Sequence, residues 1–158
     1  MRKVTILLAS ILSLLGAASA SATNPSVNGT AVLSSNKAGA THVGLTLSLR
    51  TELQCGRLMG SRPLVLTLPP AARVPNAIAT SNVLIGGRAA GRVTVAGHTI
   101  TISQAPPRGM LCDSIRFGLV KVVIAPAAGL GNPKTPPRNF FARVTHGPEG
   151  WLLPLRIV

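Results

Sequence analysis

The sequence predicts an exported all-β domain, an antiparallel sandwich of about eight strands in two sheets, closed by one disulfide. Three observations carry that expectation. Beyond the leader, glycine and proline are spread so evenly that no stretch free of both exceeds eleven residues, which leaves little room for helices of ordinary length. Apolar and polar residues alternate with period two in segment after segment, the mark of a strand with one buried face. Turn residues separate these segments at intervals of roughly ten to fifteen residues, which suits a sandwich or barrel better than an α/β layer.

The chain opens with Met1-Arg2-Lys3-Val4 and an apolar run from Ile6 to Leu15 that only Ser10 and Ser13 interrupt. This is a basic start followed by a hydrophobic stretch too short to span a bilayer. Ala18-Ser19-Ala20 and Ala20-Ser21-Ala22 both satisfy the small-x-small rule of a signal peptidase, with cleavage after Ala22 preferred and after Ala20 the alternative. The expected organisation is a removed signal peptide over 1–22, an extended segment over 23–40 carrying a first strand near Thr30–Ser34, and a β-domain over 41–158.

Within that domain Leu45, Leu47 and Leu49 alternate with Thr46, Ser48 and Arg50. Leu64, Leu66 and Leu68 alternate with Val65 and Thr67 until Pro69-Pro70 stops the run, because proline cannot donate to a ladder. Val83-Leu84-Ile85 leads into Gly86-Gly87, a pair suited to a tight turn with positive φ. Arg92–Val95 and His98–Ile102 flank Ala96-Gly97 as a hairpin, with Val93 and Val95 on the face of Ile100 and Ile102. Ile115–Ile124 is a longer strand with Val120, Val122 and Ile124 inward, Lys121 outward and a bulge expected at Gly118. Phe140, Ala142 and Val144 face inward on one arm of a C-terminal hairpin. Trp151, Leu153, Leu155 and Ile157 do so on the other, leaving Pro154 and Arg156 to the outer face of an edge strand.

With Arg2 and Lys3 removed, 14 of the 16 basic side chains remain against Glu52, Asp113 and Glu149, a net charge of +11. Such a surplus gives the surface a positive potential that attracts polyanions at moderate salt. Arg50, Arg57, Arg62, Arg108 and Arg116 are the candidate polyanion-binding residues. Cys55 and Cys112 are the only cysteines, and in an oxidising compartment they are expected to pair with each other. In the chain-entropy model a bridge across so long a loop stabilises the fold by about 4 kcal/mol. Neither cysteine has the flanking Cys or His pair that zinc requires.

The residues that chemistry needs are sparse. His42, His98 and His146 stand in separate segments without HxH or HExxH spacing, and each is read as a surface or turn histidine. A Cys55–Cys112 bridge would bring Glu52 and Asp113 together, and paired carboxylates can do glycosidic work. Arg50, Arg57, Arg108 and Arg116 arrive with them, however, and arginines keep carboxylates ionised, so the cluster is read as ion pairing. Gly129-Leu130-Gly131 lacks the following Lys-Ser/Thr of a phosphate loop. Asn28-Gly29-Thr30 matches a glycosylation acceptor but is read as incidental behind a bacterial-type leader. No catalytic residue, metal site or cofactor is expected.

Several runs, taken in order, resemble a bacterial extracellular module of S-layer-associated and cell-surface proteins. They are Ser34–Thr41, Leu64–Pro69 with Val74-Pro75 after it, Val83–Ala90, the Val93–Ile102 hairpin, and Ala127–Pro133 leading to the Phe140 strand. The resemblance implies an immunoglobulin-like sandwich that serves as a stalk, spacer or adhesive module and carries over no catalytic residues. The two cysteines, the many arginines and the lack of a tandem copy depart from that pattern and point to a freely secreted or loosely retained single domain.

The expected function is therefore a secreted, non-enzymatic module with a structural or binding role at the bacterial cell envelope or in the medium. The alternative is a basic domain that binds a polyanion such as wall polymer, acidic polysaccharide or nucleic acid. Specific nucleic-acid recognition is not expected, because the chain has no tyrosine and few aromatic platforms for base stacking. A small secreted enzyme, or an inhibitor presenting the Pro-rich loop Gly131–Arg138, is the third reading.

Overall fold

A computed structural model describes residues 29–55, 57–58, 62–104 and 114–158. Ten strands account for most of them: β1 (Gly29–Leu33), β2 (Leu45–Gln54), β3 (Arg57–Leu58), β4 (Leu64–Thr67), β5 (Val83–Ile85), β6 (Arg88–Ala96), β7 (Thr99–Gln104), β8 (Ile115–Ile124), β9 (Phe141–His146) and β10 (Glu149–Pro154). Two single 3₁₀ turns, Thr80–Asn82 and Pro126–Ala128, are the only helical pieces among the described residues. None is long and apolar enough to cross a membrane. The expected signal peptide over 1–22 and Asn28 lie outside the described residues.

The strands follow one antiparallel path, β1-β2-β8-β5-β6-β7-β4-β9-β10, with β3 attached to β2 alone. Its two ends come together. A Cβ built on Gly29 of β1 would lie 3.0 Å from both the Leu153 Cδ2 and the Trp151 Cδ1 of β10, so only glycine lets these strands pack so closely. The sheet is thus nearly closed into a barrel. In place of two separate sheets there is one, because β6 belongs to both halves. Arg88 and Ala89 pair with β5, while Ala90 to Ala96 pair with β7. A register shift between Ala90 and Arg92 bends the strand from one half to the other, as a bulge does.

The alternation read from the sequence sets what the barrel encloses. Leu45, Leu47 and Leu49 of β2 face Leu64 and Leu66 of β4, Ile100 and Ile102 of β7, Val120, Val122 and Ile124 of β8, and Ala142 and Val144 of β9 within one core cluster. Trp151, Leu153 and Leu155 join them. Fully burying such a side chain contributes about 1.5–3 kcal/mol relative to leaving it exposed. The predicted turns at Gly86-Gly87 and Gly97 have the positive φ that tight hairpins demand, at 57°, 78° and 58°.

Two expectations are corrected. Gly118 is not a bulge: the β2–β8 register runs unbroken through Thr51↔Gly118, and a Cβ there would crowd Leu53, whose Cδ1 would lie 3.0 Å away. His146 is not a surface histidine. β9 runs one residue beyond Thr145, and the same period two that buries Ala142 and Val144 buries His146. The Pro-rich loop from Gly131 is anchored at its start, where Gly131, Asn132 and Pro133 are buried, and exposed from Lys134 to Pro136.

Candidate binding surface

The barrel has two ends and two outer walls, and all four are poor in acid. Pairing of Leu64 with His146, and the hydrogen bond that Thr51 Oγ1 donates to Glu149 Oε2, place the start of β4, the β9–β10 turn and the far half of β2 at one end. The loops over 34–44, 69–75 and 125–140 and the C-terminus gather at the other.

Of the sequence-predicted arginines, Arg57, Arg62 and Arg116 stand at the first end. Arg57 is opposite Gln54, Arg116 is opposite Leu53, and the Arg62 side chain lies against the β9–β10 turn, where a Cβ on Gly147 would meet it at 3.1 Å. Arg50 is on the outer wall of β2, its guanidinium carbon 5.4 Å from the centre of the Phe117 ring. Arg108 lies outside the described residues, as do Asp113 and Cys112. The predicted Glu52–Asp113 cluster is therefore represented by Glu52 alone, exposed on the outer wall opposite Phe117. Strand parity divides the arginines further: Arg50 and Arg57 fall on the outer side of the sheet and Arg116 on the inner side.

Cys55 adopts φ 53°, follows β2 directly, and donates its N–H to Ser114 O at 3.2 Å. Its Sγ is 3.8 Å from Ser114 Oγ. The register thus brings the chain just after Cys112 beside Cys55. There is no free cysteine among the described residues.

The second end holds a basic group that sequence reasoning missed. Asn132, 2% exposed, donates from Nδ2 to Ser35 O at 2.9 Å and to Lys37 O at 2.8 Å, and its own N–H bonds Ala40 O at 2.9 Å. Gly131 exchanges both backbone bonds with Arg73 at 2.9 Å, and Gly39 donates to Pro133 O at 2.8 Å, beside Lys134. The buried run Gly131-Asn132-Pro133 thereby gathers the segments that carry Lys37, Arg73 and Lys134, all exposed. Gly131 has no space for a side chain, with Ala40 O 3.1 Å from a built Cβ. The tight Gly-Asn-Pro sequence is the trace this arrangement leaves in the chain. Beneath it, Leu33, Val43, Leu68, Leu130, Phe140 and Leu155 line an apolar cavity of ≈ 20 Å³. That is room for no more than one water-sized molecule and too little for an organic ligand.

The outer wall formed by β6, β7, β4, β9 and β10 is a lattice of hydroxyls. The register aligns Thr94, Thr101, Val65 and Thr145 in one row, and Ala96, Thr99, Thr67, Arg143 and Leu152 in the next. Arg92 and Ser103 extend it at one corner. Thr67 and Thr99 hydroxyls are 3.4 Å apart. This wall carries arginine and no carboxylate side chain. His42 is exposed at φ 55° and His98 half-buried in the β6–β7 turn, so neither joins His146. No group of three His, Cys, Asp or Glu able to hold a metal ion occurs among the described residues. No protein-family model matches the chain, and no match is found among curated proteins or solved structures.

Proposed function

We propose that the chain is an exported, non-enzymatic module that acts at the bacterial cell envelope by binding polyanionic polymers. The observation that carries this reading is the disposition of charge. Of the side-chain carboxylates among the described residues, Glu149 is turned inward onto Thr51 and only Glu52 faces solvent. Lysines and arginines stand exposed at both ends and on both walls. A surface so arranged has an unopposed positive field, and a flexible polyanion can follow it without a shaped pocket. The threonine rows beside Arg92 and Arg143 add hydroxyls that donate to phosphate, sulfate or carboxylate oxygens.

Two finer features belong to the same proposal. We read the barrel as two curved layers sharing β6, in the manner of an immunoglobulin-like sandwich and in keeping with the cell-surface modules that its motif order resembles. We also assign a Cys55–Cys112 bridge, supported by the N–H of Cys55 on Ser114 O, two residues from Cys112. The leader over 1–22 supplies the oxidising destination that such a bridge needs.

The test is binding of the mature protein to immobilised teichoic acid and heparin, with a neutral glucan as control. Counterion release predicts that a protein making six or more phosphate-like contacts loses about 10³-fold in affinity between 50 and 200 mM salt. Retention on the neutral glucan equal to that on the polyanions, or turnover of an ester, glycoside or peptide library that a point mutation abolishes, would overturn the reading.

A further inference from the structure

Among the described residues, one strand of the barrel presents an open edge and an apolar face at the same positions. β8 pairs with β2 along its whole length, from Ile115 to Ile124, but with β5 only from Val122 to Ile124. The Gly86 N–H closes that contact on Lys121 O at 2.8 Å, while on the other side Cys55 N–H reaches Ser114 O. Backbone groups alternate between the two sides of a strand, so even-numbered residues of β8 bond β2 and odd-numbered ones point away. The N–H and C=O groups of Ile115, Phe117 and Leu119 therefore face the open edge, where nothing among the described residues pairs with them. The side chains of the same three residues are 56%, 56% and 66% exposed. An edge that is both unpaired and apolar is what natural sheets ordinarily avoid.

We infer that this edge pairs with the same edge of a second copy, making a two-fold dimer through antiparallel β8 strands. The occupant follows from register. With Phe117 opposite Phe117 of the second copy, Ile115 opposes Leu119, and all the open groups of both strands find partners. On the other face Arg116 opposes Gly118, so no two cations meet. Sliding the strands one way sets Arg116 against Arg116. Sliding them the other way sets Ile115 against Lys121, whose carbonyl Gly86 already holds. One register thus satisfies hydrogen bonding, apolar contact and charge together, and it is self-complementary, as a two-fold interface must be. The dimer goes beyond the polyanion reading and responds to salt in the opposite sense. Two basic chains repel, so screening strengthens their association while it weakens attachment to a polyanion.

Sedimentation equilibrium of the full mature protein, from about 1 µM to about 1 mM, tests this. The expected result is a concentration-dependent dimer that tightens on going from low to high salt. It should weaken at least ten-fold in Phe117→Lys and be unchanged in Leu152→Lys, which adds the same charge to an exposed position of β10. Circular dichroism of both variants must match the parent, which the exposure of both side chains leads us to expect. Leu119→Pro gives a second variant, since its N–H faces the open edge and no bond to β2 is lost. A monomer at every concentration, dimerisation of Phe117→Lys or Leu119→Pro as strong as the parent's, or equal loss in Leu152→Lys overturns the proposal. So does an edge that captures only unrelated extended peptides.

Discussion

Replacing Asn132 by alanine tests whether one buried amide organises the basic end of the barrel. Its Nδ2 gives hydrogen bonds to Ser35 O and Lys37 O, 2.9 and 2.8 Å away, from a residue 2% exposed. Alanine removes both donors and leaves two half-shielded carbonyls to find water or go unpaired, at a cost of about 1–2 kcal/mol each. The expected loss of about 2–4 kcal/mol is a large share of the 5–15 kcal/mol that holds a typical domain together. For a domain of this size it lowers Tm by roughly 6–16 °C. Asn132→Asp, nearly isosteric, should be worse, because it replaces a donor with a charged acceptor facing two carbonyls. Asn139→Ala, at an exposed position seven residues on, should stay within about 0.5 kcal/mol of the parent. Thermal unfolding followed by circular dichroism measures all three. Loss of under 0.5 kcal/mol for both Asn132 variants would refute the argument that this side chain ties the loops together.

Other perturbations separate the barrel's supports. Leu47→Ala empties a fully buried site on β2 and should cost about 2–5 kcal/mol in denaturant unfolding, with an unchanged m-value. Gly118→Val should cost about 1–3 kcal/mol by crowding Leu53, whereas Gly97→Ala meets nothing within 4 Å and should cost only about 1–2 kcal/mol, through its φ of 58°. Reduction of the mature protein should destabilise it by about 4 kcal/mol. Two thiols found reactive in unreduced, denatured material would contradict the Cys55–Cys112 assignment.

Local pattern made the strands legible and left the closure hidden. Ile115–Ile124 is read in full because Val120, Val122 and Ile124 alternate with Lys121 and Val123, and the C-terminal hairpin is read because Trp151, Leu153 and Leu155 answer Phe140, Ala142 and Val144. Period two says which face of a strand is buried but not beside which strand it lies. The pairing of β4 with β9, and the packing of β1 on β10, depend on long-range fit. Gly29 shows this: in the sequence it is half of an incidental Asn-Gly, and in the fold it is where Trp151 and Leu153 come closest to β1. Arg50, Arg57, Arg62 and Arg116 were visible as charges near the cysteines, yet strand parity, which a list of arginines does not contain, sends Arg116 to the other side. Lys37, Arg73 and Lys134 were passed over because nothing local links them; only the buried hydrogen bonds of Gly131 and Asn132 do so.

The central claim is that unopposed charge, rather than a pocket, does the binding. Its most direct test is the salt dependence of heparin affinity for the parent and for a Lys37→Ala, Arg73→Ala, Lys134→Ala variant, plotted as log affinity against log salt. Each lost contact should flatten the slope by about one, so the variant should be shallower by up to about three while the fold is retained. A parent whose affinity does not change with salt would contradict the account.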